Sequence, residues 1–206
     1  GPDKAVCAYA LEHYAFWRDH LALSALPQTG SFGENLTLVG LSDRDVCIGD
    51  VYRLNEVVLQ VSQPRQPCWK LARKWNRPDF AEQVVAANRT GWYFRVLDEG
   101  TIAAGTPIVL VERPHPAWTI TAANDVMHRG DHDQNASLAL AAVAALSESW
   151  TRTLRRRADA WQPRLSHGVR DAYTRSSARR RCFRIRCTRR PAGRRRGAAC
   201  DRPSRP

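Results

Sequence analysis

The sequence predicts a mainly β chain with α-helices appended. A strand-rich domain covers residues 1–113, a three-helix segment 118–157, and a disordered, arginine-rich tail 158–206. Three observations carry that division. Short β-branched or aromatic runs, bounded by Gly, Pro and Asp turns, recur at 36–39, 57–61, 92–97 and 108–111. The stretch Glu112-Arg113-Pro114-His115-Pro116 places two prolines in a linker, and the apolar spacing beyond it is helical. Finally, residues 1–157 balance seventeen Lys and Arg against seventeen Asp and Glu, whereas residues 158–206 hold fifteen Arg against three Asp; the net charge of +12 is all in the tail.

Taken in order, the chain opens on Gly1-Pro2 with no preceding element, as a chain does that begins in mid-domain. From Tyr9 to Ala22, the residues Ala10, Tyr14, Trp17 and Leu21 recur at three- and four-residue steps and predict an amphipathic helix of about four turns. Pro27-Gln28-Thr29-Gly30-Ser31 is a loop by composition. Glu34 and Asn35, after Gly33, form a polar knot that either turns the backbone or faces a ligand, and the turn is the simpler reading. A short strand at 36–39 and a strand at 46–54, broken at Gly49-Asp50 and carrying Cys47 in the core, follow. Residues 69–75 and 80–88 read as helices separated by Arg77-Pro78-Asp79, and 92–97 as an aromatic strand ended by Asp98-Glu99-Gly100. Beyond the linker, helices at 119–128, 135–146 and 147–157 are too small to bury a core alone, so they pack on one another and on the strands. Asp125, His128, Asp131, His132 and Asp133 match no zinc spacing and read as a solvated loop.

The stretch that organises the whole runs from Val57 to Leu71. Val57-Val58-Leu59-Gln60-Val61 is a buried strand, and Pro64 and Pro67 then remove two backbone donors and fix φ, so neither a sheet ladder nor a helix continues between them. A stiff loop thus holds Cys68 at a strand end, with Arg65 and Lys70 close enough in sequence to favour its thiolate. Cys68 is the candidate working residue. Its competing reading is a buried thiol packed as a small hydrophobe.

No apolar run reaches bilayer length and the N-terminus has no signal-peptide succession, which predicts a cytoplasmic protein without membrane association. Cys7, Cys47, Cys68, Cys182, Cys187 and Cys200 form no C-x-x-C pair and no regular framework, in keeping with reduced thiols. The tail, with Arg179-Arg180-Arg181 and Arg194-Arg195-Arg196, has too little to bury and could grip phosphates; a slipped reading frame in GC-rich coding sequence explains its composition better. Nucleic acid is therefore not the expected partner.

Together, Gly1-Pro2-Asp3-Lys4-Ala5-Val6, His13-Tyr14, Phe32-Gly33-Glu34-Asn35-Leu36, Ile48-Gly49-Asp50, Val61-Ser62-Gln63-Pro64-Arg65-Gln66-Pro67-Cys68-Trp69-Lys70-Leu71 and Gly91-Trp92-Tyr93 resemble the MOSC-domain proteins of the YiiM type. The likeness runs on through Trp150-Thr151-Arg152-Thr153-Leu154, which is similar to that type's C-terminal three-helix segment. The resemblance implies a MOSC-type β-barrel and a molybdenum cofactor (molybdopterin), not pyridoxal phosphate, with Cys68 as protein ligand to the molybdenum. It implies reduction of N-hydroxylated compounds, such as N-hydroxylated purine bases, to amines. A thiolate is a soft ligand suited to a metal that also carries a dithiolene. Arg65 and Lys70 suit a phosphate or pterin oxygen, and Gln63 and Asn35 a pterin edge; for the two cations the alternative is a solvated surface charge.

In the family, further strands and a basic, Gly-rich segment lie upstream of the residues matching Gly1-Pro2-Asp3. Without them the expectation is an incomplete barrel and weak or absent cofactor binding. No flavin, haem or iron-sulfur motif is visible, so electrons would come from a separate reductase protein. Two other readings stand beside the reductase: a non-catalytic carrier holding cofactor or sulfur on Cys68, and a nucleic-acid binder acting through the tail.

Overall fold

The computed structural model describes residues 1–129 and 133–160 and the backbone of 182–185. Six strands, β1 (Val6–Ala10), β2 (Leu36–Val39), β3 (Val51–Leu54), β4 (Val57–Pro64), β5 (Trp92–Asp98) and β6 (Pro107–Glu112), form one curled sheet in the order β2-β1-β5-β4-β3-β6. Every pairing among them is antiparallel except β1 with β2, where Ala8 registers with Leu36. A parallel pair needs a crossover, and helix α1 (Glu12–His20) with its following loop supplies it. The four residues of β7 (Cys182–Ile185) pair antiparallel with both sheet edges, β2 and β6, and close the ring. The remainder of the tail expected to be disordered, 161–181 and 186–206, lies outside the described residues.

Three sequence expectations change. The helix expected over 135–146 runs only from Gln134 to Ala141, and residues 142–146 turn, with Val143 N donating to Leu140 O and Leu146 N to Val143 O. The helix expected from Tyr9 starts at Glu12, because Tyr9 and Ala10 end β1, where both are fully buried. Residues 46–50 do not begin a strand that runs to Leu54; they turn, with Ile48 N donating to Trp118 O and Ile120 N to Val46 O, both at 2.8 Å. The linker after β6 takes up that ladder.

The remaining helices are α2 (Trp69–Trp75), α3 (Phe80–Ala86), α4 (Ile120–His128), α5 (Gln134–Ala141) and α6 (Glu148–Asp159). Thr119 and Ser147 cap α4 and α6 through their hydroxyls, accepting from Ala122 N and Trp150 N. Ser147 N also donates to Ser62 O at 2.9 Å, which pins the helical segment on β4. Ile120, Met127, Leu140, Trp150 and Leu154 accordingly share one core with the barrel residues Leu38, Tyr52, Leu59, Val61 and Phe94.

A second, aromatic core lies under α1, α2 and α3, built from Tyr9, Tyr14, Trp17, Phe32, Leu71 and Phe80. Phe32 stacks on Tyr9 with ring centroids 4.4 Å apart and meets Trp75 at 5.3 Å. This core carries the loop that ends at Cys68. No described helix is long and apolar enough to cross a membrane.

Candidate functional site

Strand β4 does not release the chain at Pro64. Arg65 N donates to Gly91 O at 3.0 Å, so Arg65 is still registered against the start of β5, and its residue is only 7 % exposed. Gln66 and Pro67 then swing outward. Cys68 takes an extended conformation (φ −121, ψ 171) as the N-cap of α2, and its side chain is exposed. The buried-hydrophobe reading of Cys68 does not survive this placement.

Helix α2 is held where it lies by three contacts to the 27–34 loop: Lys74 Nζ donates to Gly30 O at 2.9 Å, Trp75 Nε1 to Ser31 O at 3.2 Å, and Trp75 packs on Phe32. The loop is shaped by buried Glu34, whose carboxylate accepts from Gly30 N, Phe32 N, Thr37 Oγ1 and the Tyr14 hydroxyl. Glu34 is thus a turn-former, one side of the alternative that the sequence left open. Gly33 has φ +78, and a Cβ placed there would stand 3.9 Å from Arg65 Nη2. The guanidinium and this bend face each other.

Arg65 also reaches the Tyr93 hydroxyl, and its field acts on Cys7. No carboxylate lies within ion-pair distance of it among the described residues, and its Nη1 is buried with no partner. Burying a cation without a counter-charge costs several kcal/mol, so this donor is set for an anionic or strongly accepting group. Burial first, then the neighbouring Cys7, raises the Tyr93 phenol above its ordinary value while Arg65 opposes them, which keeps its proton in place at neutral pH. Cys68 acts on the same phenol. With Tyr93 registered against Gln63, Arg65 N bonded to Gly91 O and Cys68 three residues further on, the three stand around the end of β4, the mouth of the site.

The other expected site residues are placed differently. Asn35 Oδ1 accepts from Cys7 N and Asn35 N donates to Cys7 O, both at 2.8 Å, tying the entry of β2 to β1. Gln63 is fully buried, with Nε2 donating to Pro64 O and Oε1 accepting from Ser149 Oγ at 3.3 Å, so its amide joins β4 to α6. Lys70 is exposed on the first turn of α2. Among the described residues no cluster of His, Cys, Asp or Glu is set to hold a metal ion; Asp131 and His132 lie outside those residues. Tyr93 belongs to the Gly91-Trp92-Tyr93 motif but has no site role legible in the sequence, and the pairing of Gln63 with Tyr93 across β4 and β5 brings it toward Arg65.

Behind the mouth, a buried polar chain fixes the start of β5. Asp43 accepts from Thr90 N and Gly91 N at 2.9 Å and from His13 Nε2 at 2.6 Å. Arg89 Nη1 lies 3.0 Å from His13 Nδ1. A guanidinium can only donate, so Nδ1 carries the lone pair and Nε2 the proton given to Asp43. Gly91, so held, offers the carbonyl that registers Arg65.

The thiols differ sharply. Burial pushes Cys7 up to about 11 and Cys47 up to about 12, and both are shut away from solvent. Maleimide at pH 7.5 is expected to modify Cys68 about 100-fold faster than either. Peptide mapping by mass spectrometry reads this directly, and comparable labelling of Cys7 in the folded chain would contradict the placement.

Compared with known proteins, residues 1–109 match the MOSC domain model and residues 118–159 the YiiM-like, 3-alpha helix domain model. The chain is 43 % identical over 163 residues to Uncharacterized protein YflK of Bacillus subtilis (strain 168), covering 79 % of this chain and 73 % of that one. It is 41 % identical over 122 residues to a protein named Reductase from Gibberella moniliformis (strain M3125 / FGSC 7600), a match covering 58 % of this chain and 22 % of the fungal one. Its fold superposes on the crystal structure of YiiM from Geobacillus stearothermophilus with a TM-score of 0.74 and 43 % identity, covering 77 % of this chain and 80 % of the other.

Proposed function

The chain belongs to the MOSC-domain family, of the kind followed by a YiiM-like three-helix domain, and we propose that it reduces N-hydroxylated compounds, such as N-hydroxylated purine bases, to amines with a molybdenum cofactor held at Cys68. Family membership and the reductase relative support a molybdenum-cofactor-related role. The observation that carries the finer reading is an exposed thiol at the same strand end as a buried guanidinium whose Nη1 has no partner.

The residues present fit such a group. Cys68 offers a soft ligand on a stiff loop with open space before it; Arg65 offers an unspent donor to an anionic oxygen, and Gly33 leaves room beside it. Lys70 and Asn35 stand exposed on α2 and at the entry of β2, where they would meet the polar parts of the cofactor. Gln63, with its amide given to Pro64 and Ser149, holds the strand end that places Arg65. When bound, the cofactor supplies the two-electron chemistry. Each turnover cleaves one N–O bond, consumes two electrons and two protons, and releases one water. Tyr93, which keeps its proton at neutral pH, is the group we assign to protonate the leaving oxygen.

Molybdenum measured by elemental mass spectrometry, after expression with abundant cofactor, tests this. With β7 closing the ring that the sequence predicts to be incomplete, the wild-type chain is expected to carry metal above background, rather than weakly or not at all, and Cys68→Ser at least about tenfold less, with 6-hydroxylaminopurine converted to adenine only by the first. Metal in neither, or equally in both, would sink the assignment.

A further inference from the structure

Helix α2 and the residue after its cap present Trp69, Arg73 and Arg77 to solvent, side chains that the cofactor reading does not use. From Arg65 to Arg77 the chain has five cationic side chains and no acid, while the rest of residues 1–157 holds twelve Lys and Arg against seventeen Asp and Glu. Lys70, Arg73, Lys74 and Arg77 are exposed, and none is ion-paired among the described residues. Trp69, next to Cys68, is 64 % exposed, the most exposed of the large apolar side chains described. Trp69 and Arg73 are four residues apart and share a face of the helix. Tryptophan and arginine are the residues most enriched at the centres of protein interfaces. The helix is also rigidly seated, through Leu71, Lys74 and Trp75, so its face is already organised for contact.

We propose that this face of α2 is the docking surface for an acidic electron-carrier protein, of the flavin or iron-sulfur class, which delivers electrons at the Cys68 mouth. The inference rests on the reductive reading above. The carrier is oxidised by the same two electrons that, with two protons, cleave the substrate's N–O bond and release water. A patch of one short helix matches the small contact area of transient redox complexes, and a local basic field steers an acidic partner. Helix α2 is only about 10 Å long, too short to track a nucleic-acid strand.

The test uses the full chain with two probes of opposite charge, an acidic flavodoxin and the basic cytochrome c. Flavodoxin is expected to bind, about tenfold more weakly at 300 mM than at 50 mM salt. Arg73→Glu/Arg77→Glu is expected to weaken it at least about tenfold, and Arg73→Gln/Arg77→Gln by less. Trp69→Ala should weaken it without changing the salt dependence, and cytochrome c should not bind. In cofactor-loaded protein, the charge-reversed variant should lose about tenfold in kcat/KM with reduced flavodoxin and nothing with reduced methyl viologen.

Failure of flavodoxin to bind, indifference to the double substitution, or tighter binding of a single-stranded oligonucleotide to the same face would overturn the proposal. Turnover with viologen but no discrimination by flavodoxin would overturn the docking surface and leave the reduction standing. Charge-dependent flavodoxin binding with no turnover from either donor would support the surface and count against the reduction.

Discussion

Gly91→Ala is expected to destabilise the chain by about 3 kcal/mol or more, lowering the urea midpoint by roughly 1.5 M for a slope near 2 kcal/mol/M. Gly91 has φ +72, and a Cβ there would lie 2.3 Å from Ala8 O and 2.9 Å from Tyr9 Cδ2. Neither neighbour can yield: Ala8 is ladder backbone in β1, and Tyr9 is locked in the aromatic core. The loss extends to the site, since Gly91 O is the acceptor for Arg65 N. Gly100→Ala is the control. Its Cβ would approach Glu56 Cγ to 2.4 Å, but that neighbour is a flexible, exposed side chain and can move, so a change within about 0.5 kcal/mol is expected. Equal midpoints for Gly91→Ala and the wild type would refute the close packing of β1 on the entry to β5.

Asp43→Ala is expected to cost about 3–5 kcal/mol. Asp43 is 1 % exposed, and its removal strands the Thr90 and Gly91 N–H groups and the His13 ring proton. Asp43→Asn is the more informative change. With its oxygen kept for Thr90 and Gly91, its amide must donate to His13 Nε2; the ring proton then moves to Nδ1 and meets the Arg89 guanidinium, donor against donor. Deleting Arg89 as well relieves that conflict, at the cost of its contact with the Phe16 ring. A double-mutant cycle over Asp43→Asn and Arg89→Ala should return about 1 kcal/mol of favourable coupling. Strict additivity would mean that the His13 tautomer is assigned wrongly.

What the sequence made legible was local chemistry. Helix α2 could be read because Pro67 and Cys68 set its start and Asn76, at φ 51, ends it in the left-handed conformation. Strands β2 and β5 were legible from their β-branched and aromatic runs. Strand β1 was not, since Ala8 and Ala10 favour helix and the spacing of Ala10, Tyr14, Trp17 and Leu21 continues smoothly across the true boundary. Tertiary pairing with β2 and β5 overrides that local preference. The site divides the same way. The placement of Cys68 at a strand end follows from its flanking prolines, whereas the rest of the site is assembled from distant stretches that share no local pattern: Tyr93 lies beside Gln63 by ladder register, Asn35 bonds Cys7, and Ser149 of α6 reaches Gln63.

Register between distant stretches also dictates when this protein can acquire its shape during synthesis. Because Val6 pairs with Phe94, and β1 has β2 on its other side, the middle of the sheet stays empty until the tenth decade of residues has left the ribosome. At 5–20 residues per second that is a wait of roughly four to eighteen seconds. Throughout it, the edge of β1 that awaits β5 stands unpaired, and for its last part Arg65 has been made but has no strand to lie against.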